Sequence, residues 1–564
     1  MPQGQGRGYY DDIGFIKWRT GNRERGTDMS TSNATPEGRH DNMRKGNGSR
    51  PNGACRCALL AGAAALVLLL PGAGFAADPA PADTPAKAAV QAVDNVLITT
   101  PPPPPNVRTP VLSWGKGNGK SYSIPAYEIL GFEALLNVYG RLVYPDDVDA
   151  QYSEGHKVYS VTPSTAWRHL TKGPWGFDGD SFQVNQIQHP YQGAVYQGFA
   201  RSAGLGFWES SIYTFLGSFL WEVAGETTKP SINDQVASGI GGSLLGEPLF
   251  RLSSLVLEDG GYHPGFWREL AAAVLSPPAG FNRHVFGDRF KGVFPSHSPA
   301  TFTRVRLGAS LTEHAVGPDT DQVERTEGSL DYYLAYGLPG KDGYTYDRPF
   351  DYFDIQFTAV SNSNVFENII TRGLLYGKKY EAGDDYRGVW GLYGSFDYIS
   401  PQVFRVSSTV LSLGTTGQWW LTRAIALQGS AFGGIGYGAG GTVHRTEERD
   451  YHYGGTGHGL LAGRLIFGDK AMFDMTAREY YISGLGSTRT DGSERIFRGN
   501  ASLTVSVYKR HGIGIQYVMS RRDASSSGIP DIHQTVGTWS IAYNFLGDSR
   551  FGAVEWRPDV IESR

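Results

Sequence analysis

Glu222 and Glu226 stand four residues apart in the run LGFWESSIYTFLGSFLWEVAGE. On a helix that spacing puts both carboxylates on one face, where they could hold a metal or work as a coupled acid and base. The plainer account ends the helix at Gly225 and leaves Glu226 in an exposed loop. Upstream, WGFDGDSFQVNQIQHPYQG sets Asp178, Asp180, Asn185 and His189 in a turn-like stretch before a helix. Two carboxylates and an imidazole could form an oxygen and nitrogen metal site, although the same types also suit a turn and a helix start before Pro190. Asp234 follows Ser231 by three residues, a capping-box spacing that satisfies backbone donors. Glu247 precedes Arg251 by four, which makes a salt bridge the default, and Arg201 reads as a structural partner for a carboxylate.

If the chain is an enzyme, these types assign His189 and Glu222 the role of base, with Asp234 or Glu247 as orienting or metal-binding partner. Asp178, Asp180, Asn185, Arg201, Glu226, Asn233 and Arg251 make the surrounding binding or structural set. The residues name neither a cofactor nor a particular metal. Neither a GxSxG elbow nor an HExxH pair occurs in the segment. Gly239, Gly242 and Gly246 interrupt a helix at about 0.8–1 kcal/mol each relative to alanine. Close approach of another helix or of a barrel wall compensates.

The elements that must position these groups change along the chain. Residues 121–300 carry apolar runs of helical length and read as a mainly helical domain. From about residue 301 the period becomes two: Leu503, Val505 and Val507 alternate with Ser502, Thr504 and Ser506, and Trp539, Ile541, Tyr543 and Phe545 with Thr538, Ser540, Ala542 and Asn544. The same alternation sets Val305, Leu307, Ala309 and Leu311, and Phe353, Ile355 and Phe357, on one face. About twelve such segments, separated by turns such as GLPGKDG and EAGDD, predict a closed antiparallel barrel over 301–548, followed by a tail over 549–564. The alternate positions hold small, hydroxyl and sporadic charged residues (Arg304, Arg306, Asp354, Arg478), as a lumen requires. Tyr332, Tyr333, Trp419, Trp420, Tyr480 and Tyr481 crowd segment ends, as an interfacial girdle would. The fold class expected is α+β, a C-terminal outer-membrane barrel with a preceding helical domain.

Composition agrees with an envelope protein. The 564 residues include 75 glycines, 19% are charged, and the basic residues are scattered, which gives no footprint for nucleic acid. The apolar run ALLAGAAALVLLL at 58–70, preceded by basic residues and followed by GAGFAAD, has the layout of a secretory signal ending near Ala76. Residues 1–76 are therefore read as an extension and signal peptide, with Met43 an alternative start. Both cysteines, Cys55 and Cys57, fall in that leader. Its removal leaves 41 basic and 49 acidic residues, a net charge of -8. Residues 77–120, rich in Pro, Ala and Gly, read as a linker.

The ordered set Trp175, Asp178, Asp180, Asn185, His189, Pro190, Tyr191, Gly193, Arg201, Gly204, Trp221, Glu222, Glu226, Pro230, Ser231, Asn233, Asp234, Gly242, Gly246, Glu247 and Arg251 resembles a family of exported Gram-negative proteins described as domain of unknown function 3943, over roughly residues 122–260. Gln235 departs from the apolar residue expected after Asp234. The resemblance implies an envelope location and a shared polar network built from His189, Glu222, Asp234, Glu247 and Arg201. It implies no activity.

Three functions remain open on these grounds. The first is a structural, transport or scaffold role in the outer membrane, in contact with lipid, with the helical domain plugging or capping the barrel from the lumen or the periplasm. The second is an envelope enzyme acting on lipid or cell wall through the His/Glu/Asp cluster. The third is a soluble periplasmic binding protein. A small molecule or a lipid is the expected ligand class.

Overall fold

The computed structural model describes residues 119–145, 157–173, 175–261, 263–316, 325–361, 366–401, 404–442, 451–484, 492–526 and 529–556. The leader, almost all of the linker and the end of the tail lie outside the described residues. The helices are α1 (Ser123–Val143), α2 (Pro163–Thr171), α3 (His189–Ser202), α4 (Phe207–Ala224), α5 (Ile232–Val236), α6 (Gly242–Glu258), α7 (Gly265–Leu275) and α8 (Pro277–Val285). One π-helical turn, Val184–Gln188, runs into α3, and another, Ala237–Gly241, joins α5 to α6.

Twelve strands follow: β1 (Thr301–Val316), β2 (Arg325–Tyr336), β3 (Phe353–Val360), β4 (Phe366–Ala382), β5 (Tyr386–Ile399), β6 (Phe404–Trp420), β7 (Ile425–Thr442), β8 (Tyr451–Phe467), β9 (Ala471–Ile482), β10 (Gly492–Tyr508), β11 (His511–Ser526) and β12 (Ile529–Leu546). Each pairs antiparallel with its neighbours in sequence, and β12 closes on β1, Val305 opposite Phe545, so no edge remains. The expected closed antiparallel barrel of about twelve strands is present.

Contacts between strands that are not neighbours identify the lumen, because only the inside of a cylinder lets them meet. Arg304 on β1 reaches Asp474 on β9 at 2.9 Å, Arg498 on β10 reaches Glu367 on β4 at 2.7 Å, and the Tyr480 hydroxyl on β9 donates to Asp397 on β5 at 2.6 Å. The polar face therefore points inward. One end of the lumen is filled by the chain after β12. There Phe551, Val554 and Trp556 pack on Phe302, Met472 and Leu546, while Gln418 and Gln428 donate to the carbonyls of Val554 and Gly552, each at 2.7 Å.

The other face carries the apolar stripe, and it divides into two sectors. Leu307, Ile435, Ile515 and Ile541 are 47, 77, 50 and 62% exposed. Over β2 to β5 the equivalent positions Tyr332, Leu334, Phe353, Ile355, Phe396 and Tyr398 are buried in one core with Phe182, Leu244, Leu245 and Leu252 of the helical region. The Thr371 hydroxyl on β4 donates to the Leu244 carbonyl at 3.3 Å, and the Cα of Gly394 on β5 faces the Leu244 side chain. The helices thus lie against the outside of the wall. The sequence reading puts them in the lumen or at its periplasmic mouth. Ion pairs and polar side chains cross the lumen, and it is the outward face that offers the apolar surface the helices bury.

The six aromatics expected in a girdle also divide by strand parity. Trp419 and Tyr481 face outward and are exposed, and Tyr332 faces outward under the helices. Tyr333, Trp420 and Tyr480 face the lumen instead, since each is one residue out of phase with its neighbour.

Helices α3 and α6 bury large apolar residues such as Tyr196, Phe199, Leu244 and Phe250, and α4 also leaves an apolar stripe bare. Helix α4 buries Ser210, Thr214, Gly217 and Ser218 and exposes Trp208, Ile212, Phe215, Leu216 and Phe219 along one stripe. Helices α3 and α6 approach through glycine. A Cβ at Gly242 would stand 2.5 Å from the Gly193 Cα, so the compensation expected for these helix glycines is close backbone packing. Gly239 lies against the Phe215 ring. Among the described residues no helix is long and apolar enough to cross a membrane alone.

Candidate functional site

Four pieces of chain bring the polar residues together: the extended segment 175–183, the π-turn leading into α3, the C-terminal end of α4, and the start of α5. Gly225 closes α4, and Pro230 and Ser231 return the chain beside Gly176, whose N–H donates to the Pro230 carbonyl at 3.0 Å and whose carbonyl accepts from Ile232 at 2.7 Å. Ser231 caps α5 by accepting from the Asp234 N–H at 3.1 Å, as the capping spacing predicts. The π-turn widens the backbone at Asn185, a device that often marks a functional position.

The side chains form a continuous chain of hydrogen bonds. Asn233 accepts at Oδ1 from the Asp178 N–H and the Ser231 hydroxyl, both at 2.8 Å, and donates from Nδ2 to Asp234 Oδ1 at 2.8 Å and to the Tyr453 hydroxyl at 2.9 Å. Asp234 Oδ2 lies 3.7 Å from His189 Nε2, within ion-pair range but beyond a hydrogen bond. Glu222 Oε2 accepts from the Ser231 N–H at 2.6 Å. Asn185 donates to the Tyr451 and Tyr453 hydroxyls, each at 2.8 Å, and more weakly to Asp178 at 3.3 Å. The Asp180 N–H donates to the Asp178 side chain, which makes the predicted turn.

Electrostatically the site is a set of carboxyls with one imidazole and little compensation. Burial pushes Asp234 and Glu222 well above the ordinary carboxylate range, and neighbouring charge adds to it, chiefly from Asp178 on Asp234 and from Glu226 on Glu222. Burial also pushes Glu226 up to about 7, with Asp180 adding to the rise. His189 is held down by burial against the opposing pull of Asp178. The centre therefore sets an imidazole that resists gaining a proton beside carboxyls that resist losing one, a pair able to take and return a proton. Among the described residues, His189 Nδ1 and Asn185 Oδ1 are buried with no hydrogen-bond partner.

Glu226 departs from the exposed-loop reading. It does lie past the end of α4, but it is half-buried, accepting from the Trp221 ring N–H at 3.1 Å and the Thr228 hydroxyl at 2.9 Å. Among the described residues no group of three or more His, Asp or Glu side chains is arranged to hold a metal ion, because Asp178, Asn233 and Asp234 are turned toward backbone and amide donors.

Glu247, Arg201 and Arg251 form a separate centre. Arg201 grips Glu247 through Nε at 2.7 Å and Nη2 at 3.0 Å, and Arg251 Nε donates to it at 2.9 Å, the expected i,i+4 pair. Arg251 also reaches Asp351 of the β2–β3 connection at 3.1 Å. Arg201 sits twelve residues along α3 from His189, about 18 Å at 1.5 Å per residue. The single network implied by the resemblance is thus two: one links His189, Glu222 and Asp234, and the other clamps the helices to the barrel.

Sequence reasoning missed the barrel's share of the first network. Tyr437, Tyr451 and Tyr453 stand on the outward face of β7 and β8, with Phe177 stacked on Tyr437 and Tyr453. The tyrosines of YHYGG at period-two positions were the available signal. Glu133, in the apolar helix α1, was another: it accepts from the buried Tyr196 hydroxyl behind the site.

Residues 174–278 match the family described as domain of unknown function (DUF3943), which is the family the ordered polar set resembles and covers both networks. No curated protein was found to match the chain. Similar solved structures include the NanC porin, at 9% identity and a TM-score of 0.23 over 43% of this chain and 98% of that one. Another is the outer membrane channel DcaP of Acinetobacter baumannii, at 8% identity and a TM-score of 0.21 over 43% of this chain and 96% of that one. A third is the translocator domain of autotransporter NalP from Neisseria meningitidis, at 14% identity and a TM-score of 0.19 over 43% and 88%. Likenesses this low in score and identity say nothing of what this chain carries.

Proposed function

We propose that the chain is exported to the bacterial outer membrane and that its barrel is a lipid-embedded scaffold holding the helical domain against its outer wall. Four of the five connections at the end bearing the barrel's termini are short (383–385, 421–424, 468–470 and 509–510), the fifth running over 337–352, and in outer-membrane barrels the short turns face the periplasm. On this reading the exposed stripe of α4 meets acyl chains, as do Leu307, Ile515 and Ile541 of the bare wall. The observation that carries the reading is that α4, which buries Ser210, Thr214, Gly217 and Ser218 beside Phe207, Trp221 and Val223, leaves Trp208, Ile212, Leu216 and Phe219 exposed along one stripe. The barrel is then a support and not an open pore, since side chains cross its lumen and residues 551–556 occupy its periplasmic end. Purified full-length chain in planar bilayers tests this: the expectation is no steady conductance, and a stable open channel in the intact protein contradicts it.

A second reading is favoured by the meeting of His189 and Asp234 at 3.7 Å. Here the helical domain is an enzyme acting on a membrane lipid, with His189 accepting a proton, Asp234 orienting it and Glu222 as the protonated acid. Glu247 has no part in that chemistry. Release of fatty acid or head group from outer-membrane lipid vesicles, lost in His189→Ala and Glu222→Gln, is the expected result. No turnover by the folded wild type leaves the scaffold alone.

A further inference from the structure

Arg478 on β9 and Arg498 on β10 are direct cross-strand partners on the lumen face. Like charges placed opposite one another repel, and a sheet has no structural reason to keep such a pair. Arg498 is compensated by Glu367 at 2.7 Å and also donates to the Ser520 hydroxyl at 3.1 Å. Arg478 has no hydrogen bond or ion pair among the described residues. Asp397, also on the lumen face, accepts from the Tyr480 hydroxyl at 2.6 Å and faces His458 Nε2 at 3.7 Å.

The pair lines a polar, solvent-open vestibule with a cavity volume of about 100 Å³, on the far side of the Arg304–Asp474 ion pair from the C-terminal segment. The vestibule's other carboxylate, Asp331, accepts from Gln356 at 2.8 Å and Thr358 at 2.9 Å. Its remaining guanidinium, Arg306, is satisfied by Asn544, Gln516 and Ser502. Among the described residues Arg478 is thus the lining guanidinium that no protein group pairs, half-buried and open to the vestibule.

We infer that the vestibule binds the oxyanion group of a small solute between Arg478 and Arg498. A carboxylate or phosphate matches the guanidinium fork two oxygens at a time, and it would neutralise the repulsion that the two strands otherwise bear. The site lies inside the barrel, apart from the His189 centre on the outer wall, and does not require the barrel to conduct.

The test uses full-length protein folded in detergent, titrated calorimetrically with inorganic phosphate and, separately, acetate, against chloride at matched ionic strength. Saturable binding of either oxyanion above chloride is expected, and the two arms tell phosphate from carboxylate. Arg478→Gln is expected to weaken it about tenfold or more while the ligand-free melting temperature holds or rises, as relief of repulsion requires. Arg521→Gln, on the exposed face, leaves it unchanged. If Arg478→Gln does not fold, Arg478→Lys keeps the charge without the fork and is expected to weaken binding about threefold or more. Oxyanions indistinguishable from chloride, or undiminished binding in the folded Arg478 variant, overturn the proposal.

Discussion

The side-chain amide of Asn185, in the π-turn before α3, donates to the hydroxyl of Tyr453, on the outward face of β8, at 2.8 Å. This bond ties the polar centre of the helical region to the barrel wall, and Asn233 donates to the same oxygen at 2.9 Å. Tyr453→Phe keeps the ring and removes the acceptor, leaving the buried Asn233 amide one partner short and Asn185 with only Tyr451 and Asp178. The expected cost is about 1–3 kcal/mol, seen as a lowered melting transition of the helical region with the barrel intact. A double-mutant cycle with Asn185→Ala is expected to show coupling, and strict additivity would mean that the bond does not hold the two parts together.

Gly193 faces the Ser238 carbonyl so closely that a Cβ would lie 1.9 Å from the oxygen. Gly193→Ala is therefore expected to separate α3 from the second π-turn and to destabilise the helical region by about 1–3 kcal/mol or more. Protease sensitivity of residues 175–260 at unchanged barrel mobility on gels is the readout. Wild-type resistance would contradict the packing.

Asp474 serves Arg304 and Arg464 at 2.9 and 2.7 Å inside the barrel. Asp474→Ala leaves two guanidiniums in the lumen without their shared anion, and about 3–5 kcal/mol of barrel stability is expected to be lost in urea titrations. A loss within about 0.5 kcal/mol, as at a surface site, would show the lumen to be water-filled at that level.

Stability of the helical region is expected to fall as pH rises. Burial raises Glu226 to about 7 and Glu133 to about 8 in the fold, whereas the unfolded groups titrate near 4.5. A raised folded pKa means that the native state holds the extra proton. The contribution is complete below about pH 4.5 and disappears as pH climbs through 7 and then 8. Melting of the helical region at pH 5 and pH 8 checks the sign, with Glu226→Gln and Glu133→Gln expected to flatten the profile. A wild-type region more stable at pH 8 would reverse the assignment.

The barrel was legible because a two-residue period survives in strands such as 502–507 and 538–545, where one face meets small and polar side chains and the other stays bare. The helix-covered sector was not, since Phe353, Ile355 and Phe357 read the same whether lipid or protein lies against them. Within the site, the Ser231 cap and the Glu247–Arg251 pair follow from local spacing, and each is present. The meeting of His189 with Asp234, the share of Tyr453, and the departure of Glu247 to a separate clamp are long-range facts set by how α3 and α6 cross. Spacing along the chain carries no record of that crossing. The side of the wall on which the helices lie is likewise decided by competition for apolar surface.

The most direct measurement is depth and solvent accessibility of a nitroxide placed at Ile212 on α4, read in lipid vesicles beside a second at Ile541 on the bare wall of β12. The account predicts that both labels collide with dissolved oxygen and are shielded from a water-soluble nickel chelate. An Ile212 label open to the chelate while Ile541 remains shielded would put the helical domain in water and contradict it.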